Sequence, residues 1–203
     1  MQTVAFRAPR GKLPFIDDGG EQITDSGAII DYLKRRYGDP LDGELTPEQR
    51  TTGHLIRRTC EGSLYFVLIY CRWVDEEGWR LIEPYFFSKF PIVIRDILGA
   101  YARRGVRQSL RGQGYGRMSH EEIEAIGAAD LSALAAVLER RPFAVGERPT
   151  SYDATLYGLL ANIVSAPLAI PLQAEAKRHP ALVAYIERMR ALTDGAGTSA
   201  KAG

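Results

Sequence analysis

The sequence predicts an α+β protein, with a small mixed β/α piece leading into an all-helical region. Three observations carry this. Short β-prone runs crowd the first 25 residues around a Gly19–Gly20 pair, apolar residues later recur at 3-4 spacing, and helix-start signals stand at Thr46, Ser119 and Thr150.

Thr3–Arg7 (TVAFR) reads as a short strand. Phe15–Asp18 and Gln22–Thr24 read as two more, joined by Gly19–Gly20, a two-residue hairpin signal. A helix follows from Ser26, with Ile29, Ile30, Leu33 and Tyr37 on one face, Gly38 as its stop and Pro40 just beyond. The first forty residues are therefore expected to run β-β-β-α. Residues 1–38 form the first domain, 39–45 a linker, 46–192 a helical domain and 193–203 a disordered tail.

Thr46, Pro47 and Gln49 open a long helix with a capping box. Leu55, Ile56, Cys60, Leu64, Val67, Leu68 and Cys71 give it a buried stripe. Phe90–Leu110 reads as another helix, with Ile94, Ile97, Leu98, Tyr101 and Val106 inward. Gly112–Gly116 is a loop. Ser119 and Glu122 form a second capping box, ahead of a helix to about Arg141. Thr150–Asp153 starts the apolar segment Leu156–Val164, and the last helix is Pro180–Leu192.

Composition excludes several function classes. Hydrophobic residues at 45% and charged residues at 25% are ordinary globular values, so a packed core is expected. A formal charge of +1 gives no reason to expect nucleic acid as partner. The most apolar run, Leu64–Tyr70, is soon interrupted by Arg72 and Asp75, while a bilayer span needs about 20 apolar residues. No secretory leader pattern opens the chain, so the cytoplasm is the expected compartment. Cys60 and Cys71 lie on one expected helix, roughly 16 Å apart at a rise of ~1.5 Å per residue, too far for a disulfide. They read as buried thiols. His54, His120 and His179 show no metal-ligand spacing, so no metal is expected.

"GKLPFIDD", a GG hairpin and "TDSGAIIDYL" together resemble the thioredoxin-like domain of glutathione transferases. "GQGYGRMSHEEIEAIGAADLSAL", "FAVGERPTSYDATLYGLLANI" and "HPALVAYIERMR" resemble the failed-axon-connections and metaxin-type branch of that superfamily, in its bacterial form. The resemblance covers about Arg7 to Arg190. It implies a truncated thioredoxin-like N-terminal domain before an all-α glutathione-transferase-type C-terminal domain, with glutathione as co-substrate. It also implies that Pro14 is cis, that the backbone of Leu13 pairs with the tripeptide, and that Lys12 reaches its glycyl carboxylate. Asp25 and Ser26, at a helix start, would hold the γ-glutamyl carboxylate, an anion at free N–H groups. Thr150–Asp153 matches the family's structural capping box, whose loss typically costs about 1 kcal/mol.

In this family the thiol-activating residue follows the first strand, and "TVAFRAPRGKLP" matches the second strand and its loop. The expectation is therefore that the first strand and helix are missing, that the start is misassigned or truncated, and that no catalytic residue is identifiable. Alternatively, Thr3–Arg7 slides into the vacant slot, or two chains cover each other's open edges. The expected function is conjugation of the glutathione thiol to a small electrophile by a homodimer, weakly or not at all in this chain. The alternative is a non-catalytic binding or scaffold protein of metaxin type.

Other clusters have plainer readings. Arg103, Arg104, Arg107, Arg111 and Arg117 read as a solvated helix face, with an anion site as the sharper option. Tyr65, Tyr70, Trp73 and Trp79 read as core, with a co-substrate pocket wall as the other possibility. Asp17–Asp18 and Glu76–Glu77 read as surface turn residues.

Overall fold

A computed structural model describes residues 14–199. The expected strand Thr3–Arg7 lies outside the described residues. The chain forms two compact units that divide between Thr46 and Pro47.

The first unit contains strands β1 (Phe15–Asp18) and β2 (Glu21–Thr24) and helix α1 (Ser26–Tyr37). The strands are antiparallel, with Ile16 opposite Ile23 and Asp18 opposite Glu21. Gly19 and Gly20 both take positive φ, 64° and 95°, the backbone of a tight two-residue hairpin. Asp17 Oδ1 accepts from the Gly20 N–H at 3.0 Å and closes the turn. Of the face expected on α1, Ile29 is buried while Leu33 and Tyr37 are exposed. Gly38 at φ 90° ends the helix.

The second unit is helical. Helix α2 (Pro47–Thr59) passes through a π-helical turn, Cys60–Leu64, into α3 (Tyr65–Trp73). Ile56, Cys60, Leu64, Val67, Leu68 and Cys71 are buried as the spacing predicts, but Leu55 faces outward. Leu55 sits about 100° round the regular helix from Ile56, on the side away from Gly53 and Cys60. Next come α4 (Glu76–Phe87), α5 (Ile92–Gln113), a 3₁₀ turn at Tyr115–Arg117 and α6 (His120–Leu138). Then follow α7 (Ser151–Val164), α8 (Pro171–Lys177) and α9 (Pro180–Ser199).

Helices α4 and α8 have no counterpart in the pattern reading. Pro84 sits inside α4 and removes one rung of its ladder, and α8 is only two turns long. The turn from α3 into α4 is tight: Asp75 accepts from the Gly78 N–H at 2.9 Å, and a Cβ at Gly78 would lie 1.7 Å from the Cys71 carbonyl oxygen. Helix α9 runs on to Ser199, into the segment expected to be a disordered tail. Thr193 donates back to the Met189 carbonyl at 3.1 Å and continues the last turns.

The stripe expected to be inward on α5 is reversed. Ile94, Ile97, Leu98 and Tyr101 are exposed, while Gly99 and Leu110 are buried. Val106, expected on the same stripe, is half-buried and belongs with Gly99, Arg103 and Leu110 to a second set at 4-3-4 spacing on the opposite side. Arg103 fixes the choice. Its Nε donates to the Trp73 carbonyl at 2.8 Å, its Nη2 to the Val74 carbonyl at 2.9 Å, and both Nη atoms reach Glu76 at 3.1 and 2.8 Å. Its guanidinium also lies 5.0 Å from the Trp79 ring centroid. A cation on the last carbonyls of α3 satisfies groups that the helix itself leaves open.

The centre of this unit is the Asp153 carboxylate, fully buried at the start of α7. Oδ2 accepts from the Thr150 N–H and hydroxyl, both at 2.8 Å, and Oδ1 from the Ala144 N–H at 2.8 Å and the Tyr185 hydroxyl at 3.0 Å. It therefore joins the loop before α7, α7 itself and α9. Both capping boxes expected at Ser119–Glu122 and Thr150–Asp153 are present. Asp153→Ala strands these donors in the core and is expected to cost about 3 kcal/mol or more, well beyond a surface cap. Urea unfolding measures it, and a loss under ~1 kcal/mol would contradict this role.

Candidate functional site

The start of α1 has the most unusual backbone in the described chain. Asp25 is the only non-glycine described residue at positive φ, with φ 81° and ψ 132°. Such a conformation costs about 1–3 kcal/mol unless the surroundings compel it. Here the compulsion is visible. The Asp25 N–H donates to the Pro14 carbonyl at 3.3 Å, tying the helix start to the residue before β1. Its carboxylate turns back over the helix and accepts from the Gly27 N–H at 2.9 Å and the Ala28 N–H at 3.3 Å. The Ile29 N–H goes to the Asp25 carbonyl.

Those bonds use the second, third and fourth helical N–H groups. The first, on Ser26, and the Ser26 hydroxyl have no partner among the described residues, and Ser26 is half-buried. The result is one N–H and one hydroxyl left open at the positive end of a helix dipole. Of the expected glutathione-contacting residues, the structure brings together Pro14, Asp25 and Ser26. Lys12 and Leu13 lie outside the described residues.

Asp18 departs from its turn reading. Its Oδ2 accepts from the Tyr32 hydroxyl at 2.7 Å and the Tyr37 hydroxyl at 3.3 Å, pinning the end of β1 to α1. The Tyr32 bond holds the Asp18 carboxyl below its usual range, and the same bond pushes the Tyr32 hydroxyl up to about 12. These two tyrosines are thus committed to framing α1. Lys34 adds a bond to the buried Asp42, which lies in the segment after the helix.

In the helical unit, the π turn carries a polar cluster that the sequence reading missed. The Ser63 hydroxyl donates to Asp130 Oδ2 at 2.5 Å, and the Tyr115 hydroxyl lies 3.2 Å from Ser63 Oγ. Burial raises the Asp130 carboxyl above its usual range, against the Ser63 bond. A separate cleft of about 580 Å³ runs between α3, α6 and α8, floored by Val67, Cys71 and Leu172 and rimmed by Glu121, Glu124 and Glu175. Its rim is already engaged: Glu124 meets His120 at 3.2 Å, and Glu175 meets Arg178 at 3.0 Å.

The arginine run does not act as one patch. Arg103 and Arg107 both bind Glu76, and Arg117 donates to the Arg111 carbonyl at 2.9 Å. Glu76 is therefore a helix-to-helix anchor and departs from its turn reading, its carboxyl held below the usual range chiefly by the Arg103 bond. A pairing across 27 residues leaves no local sequence signal. The four aromatics split as well. Trp73 and Trp79 stack at 5.5 Å in a cluster with Phe86 and Phe87, whereas Tyr65 packs on Phe66 and Tyr70 lies beside His120. Among the described residues, no group of three or more His, Cys, Asp or Glu side chains could hold a metal ion. No described helix is long and apolar enough to cross a membrane.

A hairpin and helix with a strained acid-Ser start, joined to a helical unit built on a buried capping aspartate, define a glutathione-transferase-type protein. Comparison with known proteins agrees. The glutathione S-transferase N-terminal domain family model matches residues 2–78, and the C-terminal domain model matches residues 127–189. Isoprene-epoxide–glutathione S-transferase of Rhodococcus sp. (strain AD45) is 35% identical, over 94% of this chain and 81% of its own length. Failed axon connections of Drosophila melanogaster is 30% identical over 91% of this chain, but the match spans only 47% of that protein. Human Metaxin-2 is 23% identical over 91% of this chain and 70% of its length. Among solved structures, the beta-etherase LigF from Sphingobium sp. strain SYK-6 superposes with a TM-score of 0.61 at 17% identity, covering 90% of this chain and 75% of that one. Bombyx mori glutathione transferase BmGSTD1 gives 0.57 at 21% identity, covering 96% and 71%. The chain belongs to the glutathione S-transferase family, and its relatives include failed-axon-connections and metaxin proteins.

Cys60 and Cys71 are buried and unpaired, and burial pushes both thiols from 9.0 up to about 12. Neither is a thiolate near neutrality. Native protein is expected to react slowly with iodoacetamide at pH 8, and both thiols quickly once unfolded. The raised values also set a pH window. The stabilisation is intact below about 9, where both states stay protonated, and is lost as pH climbs from about 9 to about 12. Urea midpoints across that range check it, with Cys60→Ala/Cys71→Ala showing a shallower fall.

Proposed function

We propose that the protein binds glutathione at the start of α1 and adds its thiol sulfur to a small electrophile, as a cytoplasmic homodimer. Asp25 carries the reading. Its carboxylate caps Gly27 and Ala28, and the Ser26 N–H and hydroxyl beside them remain for a ligand carboxylate. The γ-glutamyl carboxylate fits this pair, with Leu13 and Pro14 supplying backbone contacts along the tripeptide and Lys12 meeting its far carboxylate. The likeness to the Rhodococcus isoprene-epoxide–glutathione S-transferase supports an electrophile of the small-epoxide kind. Conjugation also needs a group that stabilises the thiolate. The buried Cys60 and Cys71, held protonated near neutrality, do not supply it.

A second reading, a non-catalytic binding or scaffold protein on the same fold, is supported by the likeness to Failed axon connections and Metaxin-2 over 91% of the chain in each case. Calorimetric titration with glutathione, paired with a conjugation assay on a small epoxide, separates the two. Conjugation together with binding supports the first reading, and binding without turnover the second. Ser26→Ala removes a hydrogen bond to a charged group and is expected to weaken glutathione binding about tenfold or more, with the melting temperature little changed. No binding at millimolar glutathione would overturn the glutathione assignment.

A further inference from the structure

The cleft between α3, α6 and α8 lies wholly within the helical unit, and the proposed conjugation makes no use of it. Its origin is visible in the packing. At Gly127 the helices nearly touch, since a Cβ there would lie 2.9 Å from Leu172 and 3.0 Å from Val67. Beside that contact the walls are Ala125 and Ala128 of α6 and Ala174 of α8, side chains too short to fill the space between three helices. The opening that results is about 580 Å³, within the roughly 300–1,000 Å³ of small-molecule sites.

Floor and rim differ in chemistry. Val67 and Leu172 are buried, and Cys71, only 4% exposed, brings an unpaired thiol to the same floor. Such a floor suits an apolar body. The rim carries three carboxylates, Glu121, Glu124 and Glu175, against one guanidinium, Arg178. Arg178 is taken by Glu175 at 3.0 Å, and Glu124 uses Oε1 on the His120 ring at 3.2 Å. Glu121 makes no ion pair among the described residues. Bonds to its own N–H and to Ser119 hold its carboxyl below the usual range, so it stays charged at neutral pH. The negative field also reaches the floor: after burial itself, the charges of Asp75 and Glu124 push the Cys71 thiol up.

This chemistry selects the occupant. An anion, glutathione included, is repelled by the rim. A quaternary ammonium favours aromatic faces, and no ring lines the cleft. A primary ammonium donates three N–H groups to carboxylate oxygens, and a hydrocarbon body attached to it covers the apolar floor.

We propose that this cleft binds a small apolar primary amine, with its ammonium at Glu121 and Glu124 and its hydrocarbon body on Val67, Cys71 and Leu172. The site uses no residue of the small unit and stands whether or not glutathione binds at α1. Calorimetric titration with phenethylamine tests it, with phenethyl alcohol as the neutral match and phenylpropionate as the anionic one. The amine is expected to bind at least about fivefold more tightly than the alcohol, and the anion not measurably. That preference should shrink between about 0.01 M and about 0.5 M salt. Glu121→Gln/Glu124→Gln is expected to bring the amine down to the affinity of the alcohol. Ala128→Leu fills the cleft and is expected to weaken amine binding about tenfold or more, with an unchanged circular dichroism spectrum. Equal binding of amine and alcohol to the wild type, or tighter binding of the anion, overturns the role of the rim. Amine binding undiminished in Ala128→Leu overturns the cleft, and no amine binding at millimolar concentration overturns both.

Discussion

Every helix begins with N–H groups that it cannot satisfy itself, and how this chain meets that demand organises the molecule. Helix α7 uses the buried Asp153, whose carboxylate also receives Ala144 and Tyr185 and so joins three segments of the core. Helix α4 uses Asp75, and α6 uses Ser119 with Glu122. In each of these a side chain answers a local need. Helix α1 differs in that its acid caps from a positive-φ backbone and reaches two N–H groups, Gly27 and Ala28, where Asp75 and Ser119 each reach one. As in those helices the first N–H stays open, and in α1 it stands beside the Ser26 hydroxyl.

The complementary demand, at helix ends, sets the outer surface. The last carbonyls of α3 are met by Arg103 and Arg107 from α5, and both arginines are held again by Glu76 at the start of α4. Three helices are thereby locked in one arrangement. The lock determines which side of α5 is inward, and the more apolar side is the one left out. A core that maximised apolar burial within one chain would have rolled the helix over.

Local features were legible in the sequence, and features set at a distance were not. The Gly19–Gly20 hairpin, both capping boxes in the helical unit and most of the α2–α3 stripe depend on neighbours within a few residues, and they stand where the spacing put them. The rotation of α5 did not, because periodicity reports that a helix has a distinct face but not which face is covered. Two faces of helical spacing were present, and the contact of Arg103 with Trp73, Val74 and Glu76 decides between them. Leu55 faces outward because it lies about 100° round the regular helix from Ile56, away from Gly53 and Cys60, so it never belonged to the stripe. At the candidate site, Asp25 and Ser26 were legible as a pair, but the positive φ of Asp25, which goes with its bond to Pro14, carries no compositional mark.

The proposed carboxylate site at the start of α1 rests on the open Ser26 N–H and hydroxyl beside the Asp25 cap. Amide resonances followed while S-methylglutathione, which cannot react, is titrated into ¹⁵N-labelled protein test it most directly. The account predicts that the largest shifts fall on Ser26 and Gly27 and shrink sharply in Ser26→Ala. Saturable shifts confined to the cleft between α3, α6 and α8, with the Ser26 amide unmoved, would contradict it.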